Sequence, residues 1–241
     1  MNESAWDGTL SASEFSASAQ AFAEKWKLNN PAYPPWTWVK SLEVPIFATN
    51  QVEEGYLSLE NVCIVKSNDD EVASCVEGEA SLYDKEDEES TDSATLSGND
   101  NVQPYYFDFH IIYSASFRVP VLYFRAYCSD EAYPSALLSN QVFLADGRSL
   151  GLNEIESVLP ANSAKVLLES KWTFITQEEH PYLNRPWCKL HPCGSSDWMK
   201  LLFQAVEKVD RPAMELYLVS WFSVVGPVIG LGIPIQMLKE P

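Results

Sequence analysis

The first clear pattern in the chain is helical. Phe15, Ala19, Phe22 and Trp26 recur at steps of three and four, which puts them on one face of a helix. Ser11 stands just before them with Glu14 three residues on, the spacing of a capping box. Asn29-Asn30-Pro31 ends the run. Strands follow. Tyr56 to Lys66 reads as one. Phe107, Phe109, Ile111 and Tyr113 alternate with Asp108, His110 and Ile112 as a second. Val119 to Cys128 is apolar at nearly every position, as a central strand would be, with Pro120 at its start. The short "SAS" between the last two predicts a hairpin.

Leu152 to Leu159 predicts a short helix or turn, and Trp172 to Ile175 another strand. Gln177 to Pro192 holds three prolines and reads as an irregular surface run. Two helices close the chain. In the first, Trp198, Leu201, Leu202, Ala205, Val206 and Val209 share a face; the second starts near Asp210-Arg211-Pro212. Strands and helices are segregated along the chain, so the expected class is α+β with an antiparallel sheet. Val219 to Ile235 carries no charge over 17 residues, but Gly226, Pro227, Gly230, Gly232 and Pro234 break it. It reads as a buried helix end followed by an apolar turn-rich segment, with no stable membrane insertion.

Composition narrows the function. The 241 residues suit a single domain, and 8 Trp, 11 Tyr and 11 Phe can build its core. The net charge of −18 argues against nucleic acid as a partner. Twelve acidic residues and only Lys85 in opposition lie between Asp69 and Asp100. That stretch has few large apolar side chains, so residues 67–102 are expected to form a disordered acidic insertion. Cys63, Cys75, Cys128, Cys188 and Cys193 are odd in number and lack C-x-x-C pairing, and the first residues lack a signal-peptide pattern. These point to free thiols in the cytoplasm.

The candidate chemistry centres on Cys193 in "LHPCGSSDWMKLL". It precedes a helix whose cap would be Ser195, Ser196 or Asp197, and a helix N-terminus favours a thiolate. His191 lies two residues back and could polarise the thiol if the chain turns at Pro192. Two other readings stand beside this one. Cys193 could be a small buried core residue. Alternatively Cys188, His191 and Cys193, with His180, could ligate a metal, although their spacing matches no common zinc pattern. No G-x-S-x-G elbow is present, so a serine hydrolase has no support, and the reading calls for no cofactor and no metal.

The segments "WDGTLSASEF", "DFHIIYSASFRVPVLYFRAY", "WTFITQEEHPYLNRPWCKLHPC" and "YLVSWFSVVGPVIGL" resemble the autophagy-related ubiquitin-like-conjugating enzymes of the tenth type. The related third type shares His-Pro-Cys but acts on a lipid acceptor; "EEHP" and "VGPVIGL" favour the tenth. The resemblance implies a fold similar to ubiquitin-conjugating enzymes, an antiparallel meander with N- and C-terminal helices. It implies that Cys193 carries autophagy-related protein twelve as a thioester, delivered by autophagy-related protein seven. The modifier would pass to a lysine of autophagy-related protein five. Ordinary ubiquitin-conjugating enzymes place a His-Pro-Asn motif upstream, whose Asn stabilises the oxyanion. Asn184 is the candidate here although the motif does not match, and backbone N–H groups after Cys193 are the alternative. The exposed edge of the hairpin of Phe107 to Tyr113 and Val119 to Cys128, with Phe107, Phe109 and Ile111, is the expected acceptor-binding surface, the alternative being that both strands are interior and build the core. A non-catalytic binding module with the same fold is the rival from another class.

Overall fold

A computed structural model describes residues 6–41, 54–66, 72–74, 104–128, 149–159, 175–204 and 214–239. Most of the acidic stretch, Cys75, Trp172 to Phe174, Ala205, Val206, Val209 and the Asp210 helix start lie outside these residues.

Helix α1 spans Ala12–Asn29 and starts as its sequence requires. Glu14 N–H donates to the Ser11 hydroxyl while the Glu14 carboxylate accepts from Ser11 N–H. Phe15, Ala19, Phe22 and Trp26 are all buried. The strands are β1 (Thr37–Lys40), β2 (Gly55–Lys66), β3 (Val72–Ser74), β4 (Pro104–Ser114) and β5 (Val119–Cys128), then β6 (Ile175–Glu179) and β7 (Pro186–Leu190). They form one antiparallel sheet in the order β1-β2-β4-β5-β7-β6, with β3 paired to the far end of β2. Helix α2 (Leu152–Val158) is short, while α3 (Ser195–Gln204) and α4 (Met214–Val225) close the chain. Two 3-10 turns, 226–229 and 235–238, follow α4, and none of the described helices is long and apolar enough to cross a membrane.

Because side chains alternate along a strand, the sheet has two distinct faces. Phe107, Phe109 and Ile111 join Leu122, Phe124 and Ala126 on the face that packs against α1 and α4. Phe22, Trp26 and Phe222 meet there with ring centroids 5.2 to 6.0 Å apart. The opposite face carries Tyr56, Ile112, Val121, Tyr123 and Trp187 as a smaller cluster.

That second face is also polar. A register shift between Leu59 and Val62 makes a bulge in β2, with Asn61 at a φ of 59°. Asp108 holds it: its carboxylate accepts from Asn61 N–H at 3.0 Å, from Arg125 Nε at 2.8 Å and from the Tyr127 hydroxyl at 3.2 Å. Beside it, His110 and His180 share a 2.8 Å hydrogen bond, and both are buried. Tyr182 N–H donates to His180 Nδ1, so the His180 proton sits on Nε2 and is donated to His110 Nδ1. This bond ties the β6–β7 turn to the middle of the sheet. Burial pushes His180 down to about 3, with the neighbouring His110 and Arg185 acting in the same direction. Burial also lowers His110, against the pull of Glu60.

Four expectations need correction. Gln177 to Pro192 is not an irregular run: β6 and β7 form a hairpin there, in register from Ile175↔Leu190 to Glu179↔Pro186. Its prolines sit where strands tolerate them, in the turn, at the first residue of β7 and just after its end. Residues 72–74, inside the expected acidic insertion, form β3. Cys63 is disulfide-bonded, whereas Cys128, Cys188 and Cys193 are free. In α3, Leu201 is 66% exposed and Leu202 40%, while Met199 is buried, so the helix turns a different face inward from the one expected.

Candidate functional site

Strand β7 enters the core with Trp187, Cys188 and Leu190 buried, then releases the chain at His191-Pro192. Ser195 N–H donates to the Pro192 carbonyl at 3.0 Å, closing a turn over Cys193 and Gly194. Gly194 has a φ of 81°, the value a type II turn needs at its third residue and one that L side chains avoid. Trp198 N–H then donates to the Gly194 carbonyl at 3.1 Å, and α3 begins. Cys193 is therefore the corner residue of a tight turn at a helix N-terminus. The first amides of a helix carry partial positive charge, which favours a thiolate or an oxyanion there. Its side chain is partly exposed, so a partner can reach it.

His191 lies close to Cys193, but the bond between them holds the loop. Cys193 N–H donates to His191 Nδ1 at 3.1 Å. A ring nitrogen that accepts cannot also carry a proton, so the neutral ring bears its proton on Nε2. The ring also stands edge-on to Phe117, 5.7 Å between centroids. Phe117 is 43% exposed and belongs to the β4–β5 turn. These contacts fix the imidazole beside the thiol-bearing turn.

The structure separates the remaining candidates. Asn184 is in the turn before β7, exposed, with a φ of 50° and its N–H bonded to the His180 carbonyl. The whole of β7 lies between it and His191, about 17 Å of extended chain. Asn184 cannot serve the oxyanion at Cys193. Its role is to occupy a left-handed turn position that Asn tolerates. Phe107, Phe109 and Ile111 are fully buried, and β4 lies between β2 and β5 with no free edge. They are core residues and cannot bind an acceptor. The proposed metal ligands are not gathered: Cys188 faces the helix-packed side of the sheet, whereas His180 is on the other side with His110. Among the described residues no group of three or more His, Cys, Asp and Glu side chains is placed to share a metal ion. Burial pushes the Cys188 thiol up to about 11, which keeps it protonated and inert.

Several residues around the turn were not singled out from the sequence. Phe117 is one; Gly8 and Arg118 are others. Gly8 packs against the backbone of Ser196 in the first turn of α3, where an added Cβ would overlap the Ser196 carbonyl. Asp7-Gly8 is a turn signal, but nothing local says what the turn touches.

A reachable cysteine at a helix start is common to many proteins, and comparison with known chains decides among them. The family described as "Autophagocytosis associated protein, active-site domain" matches residues 14–236. The ubiquitin-like-conjugating enzyme ATG10 of Arabidopsis thaliana is 47% identical over 97% of this chain and 96% of its own length. The chain belongs to the ATG10 family of ubiquitin-like-conjugating enzymes. The ubiquitin-like-conjugating enzyme ATG10 of Homo sapiens is 37% identical over 55% of this chain and 52% of that protein. The crystal structure of autophagic E2, Atg10, aligns with 56% of this chain and 66% of that one at 14% identity and a TM-score of 0.30, too low to bear on details. The protein is thus a transferase of autophagy that conjugates a ubiquitin-like protein to an acceptor. The third-type and non-catalytic readings are set aside by the same identity.

Proposed function

We propose that Cys193 is the nucleophile, that its cargo is autophagy-related protein twelve, and that the acceptor is a lysine of autophagy-related protein five. The observation that supports this most is local: a partly exposed cysteine at the corner of a type II turn, opening α3, with its own N–H held by His191. The Cys193 thiolate attacks the C-terminal carbonyl carbon of the modifier, held as a thioester by autophagy-related protein seven, and the thiolate of that enzyme leaves. The acceptor ε-amine then attacks the new thioester. Cys193 leaves as a thiolate, the amine loses a proton, and an isopeptide bond remains. Both steps pass through a tetrahedral oxyanion, which the amides at the start of α3 are oriented to stabilise. The thioester exchange needs no cofactor from this protein. We place the enzyme in the cytoplasm on its three free thiols among the described residues, Cys63 being the one that is disulfide-bonded.

The test is loading. With autophagy-related protein seven, ATP and the modifier, a thiol-sensitive adduct should form on Cys193. Cys193→Ser should give a thiol-resistant ester or none. Transfer at the wild-type rate by Cys193→Ser would overturn the assignment.

A further inference from the structure

We propose that the N-terminal strap, Trp6 to Leu10, is a positioning element for the conjugation reaction, with Gly8 as the residue that seats it. The proposal rests on Cys193 as the nucleophile. The strap lies just before residues 14–236, the span that the family model matches. It nevertheless joins the two elements that flank the Cys193 turn.

On one side the strap meets α3. Gly8 has a φ of 85° and lies so close to Ser196 that no side chain fits between them. The Gly8 carbonyl accepts from the buried Tyr217 hydroxyl at 2.8 Å. Trp6 stands edge-on to Phe203 of α3 and Tyr217 of α4, at 5.6 and 6.0 Å. On the other side the strap meets the β4–β5 turn. Leu10 N–H donates to the Arg118 carbonyl and the Tyr113 hydroxyl donates to the Leu10 carbonyl, both at 2.8 Å. Asp7 Oδ2 lies 3.5 Å from Arg118 Nη1, while Asp7 Oδ1 accepts from Thr9 N–H at 3.0 Å. Arg118 adjoins Phe117, whose ring faces His191, and His191 in turn holds Cys193 N–H.

The turn is thereby held from both ends, through Ser196 and through Phe117, and both supports lead back to five residues. A displacement of about 1 Å at a reacting atom can cost two orders of magnitude in rate. The strap therefore controls the geometry of attack more than it controls the grip on either partner.

Gly8→Ala tests this. Its Cβ meets backbone, not a flexible side chain, so the strap must lift from α3. At saturating autophagy-related protein five, discharge of the preformed thioester per folded molecule should fall about tenfold. The acceptor KM should stay unchanged, and the rate of Cys193 alkylation by iodoacetamide at a fixed pH should fall. Tyr217→Phe removes only the hydroxyl that holds Gly8, and should show the same pattern at about threefold; it carries the test if Gly8→Ala does not fold. Wild-type kcat in both folded variants, or a loss confined to KM, overturns the proposal. A wild-type chain that forms no thioester refutes Cys193 as nucleophile instead. The strap is then read from the rate of Cys193 alkylation, which needs no partner, and an unchanged rate in Gly8→Ala and Tyr217→Phe overturns it.

Discussion

Replacing Gly194 by alanine probes the turn that presents Cys193. Gly194 has a φ of 81°, and an L side chain in the left-handed region costs about 1–2 kcal/mol. In a chain of 241 residues, each kcal/mol lowers the melting temperature by about 2–4 °C. If the turn is retained, Gly194→Ala should therefore melt about 2–8 °C lower by circular dichroism. The chain has another response, which is to flip the turn and relieve the strain. The bond from Ser195 N–H to the Pro192 carbonyl is then lost and the thiol moves off the start of α3. Stability recovers in that case, and thioester loading falls instead. Gly194→Asn should lie between wild type and alanine on both measures, because Asn tolerates the left-handed region. An alanine variant that melts within about 1 °C of wild type and loads at the wild-type rate would refute the type II turn and its link to reactivity.

The polar face of the sheet gives independent tests. Asp108 is 5% exposed and Arg125 30%, so Asp108→Ala strands a charge that water only partly reaches; urea unfolding should show a loss of about 3 kcal/mol. A loss below about 1 kcal/mol would mean that the bulge in β2 does not depend on Asp108. The buried histidine pair makes stability depend on pH. His180 and His110 are both depressed in the folded state, so the unfolded chain binds more protons between the ordinary value of about 6.5 and the folded values. Their contribution is complete above that upper value and is lost as pH falls through it, by up to about 1.4 kcal/mol per pH unit for each histidine. His180→Gln should flatten the slope of unfolding free energy between pH 6 and 5; an unchanged slope would show that His180 is not held neutral. Finally, Cys188, pushed up to about 11 by burial, should resist iodoacetamide in the folded enzyme at pH 8 while Cys193 reacts. Equal labelling of the two peptides by mass spectrometry would contradict the assigned burial of β7.

The elements legible in the sequence were those whose signals are local. The capping box at Ser11, the apolar stripe of α1 and the alternation of Phe107, Phe109 and Ile111 each lie within a few neighbouring residues. Cys193 at a helix start was legible for the same reason. What was missed depends on long-range pairing. β7 pairs along its length with β6 across a short turn, and with β5 at Tyr123↔Lys189 and Phe124↔Cys188, more than sixty positions away; the three prolines of the segment mask both pairings in the sequence. Alternation along β4 shows that the strand has two faces but not that it lies between β2 and β5, away from any edge. Asn184 stands nine residues before Cys193 in the sequence, but those nine become a turn, a strand and a bend in space. Gly8 acts through α3 and α4, and its bond to Tyr217 spans 209 positions.

The central claim is that Cys193 forms the thioester. Wild-type enzyme, Cys193→Ser, Cys188→Ser and Cys128→Ser should each be mixed with autophagy-related protein seven, ATP and autophagy-related protein twelve, quenched without thiol and resolved by mass. The account predicts a thiol-labile adduct in the wild type and in the Cys188 and Cys128 variants. It predicts a thiol-resistant adduct or none in Cys193→Ser. A thiol-labile adduct that persists in Cys193→Ser would place the chemistry elsewhere in the chain.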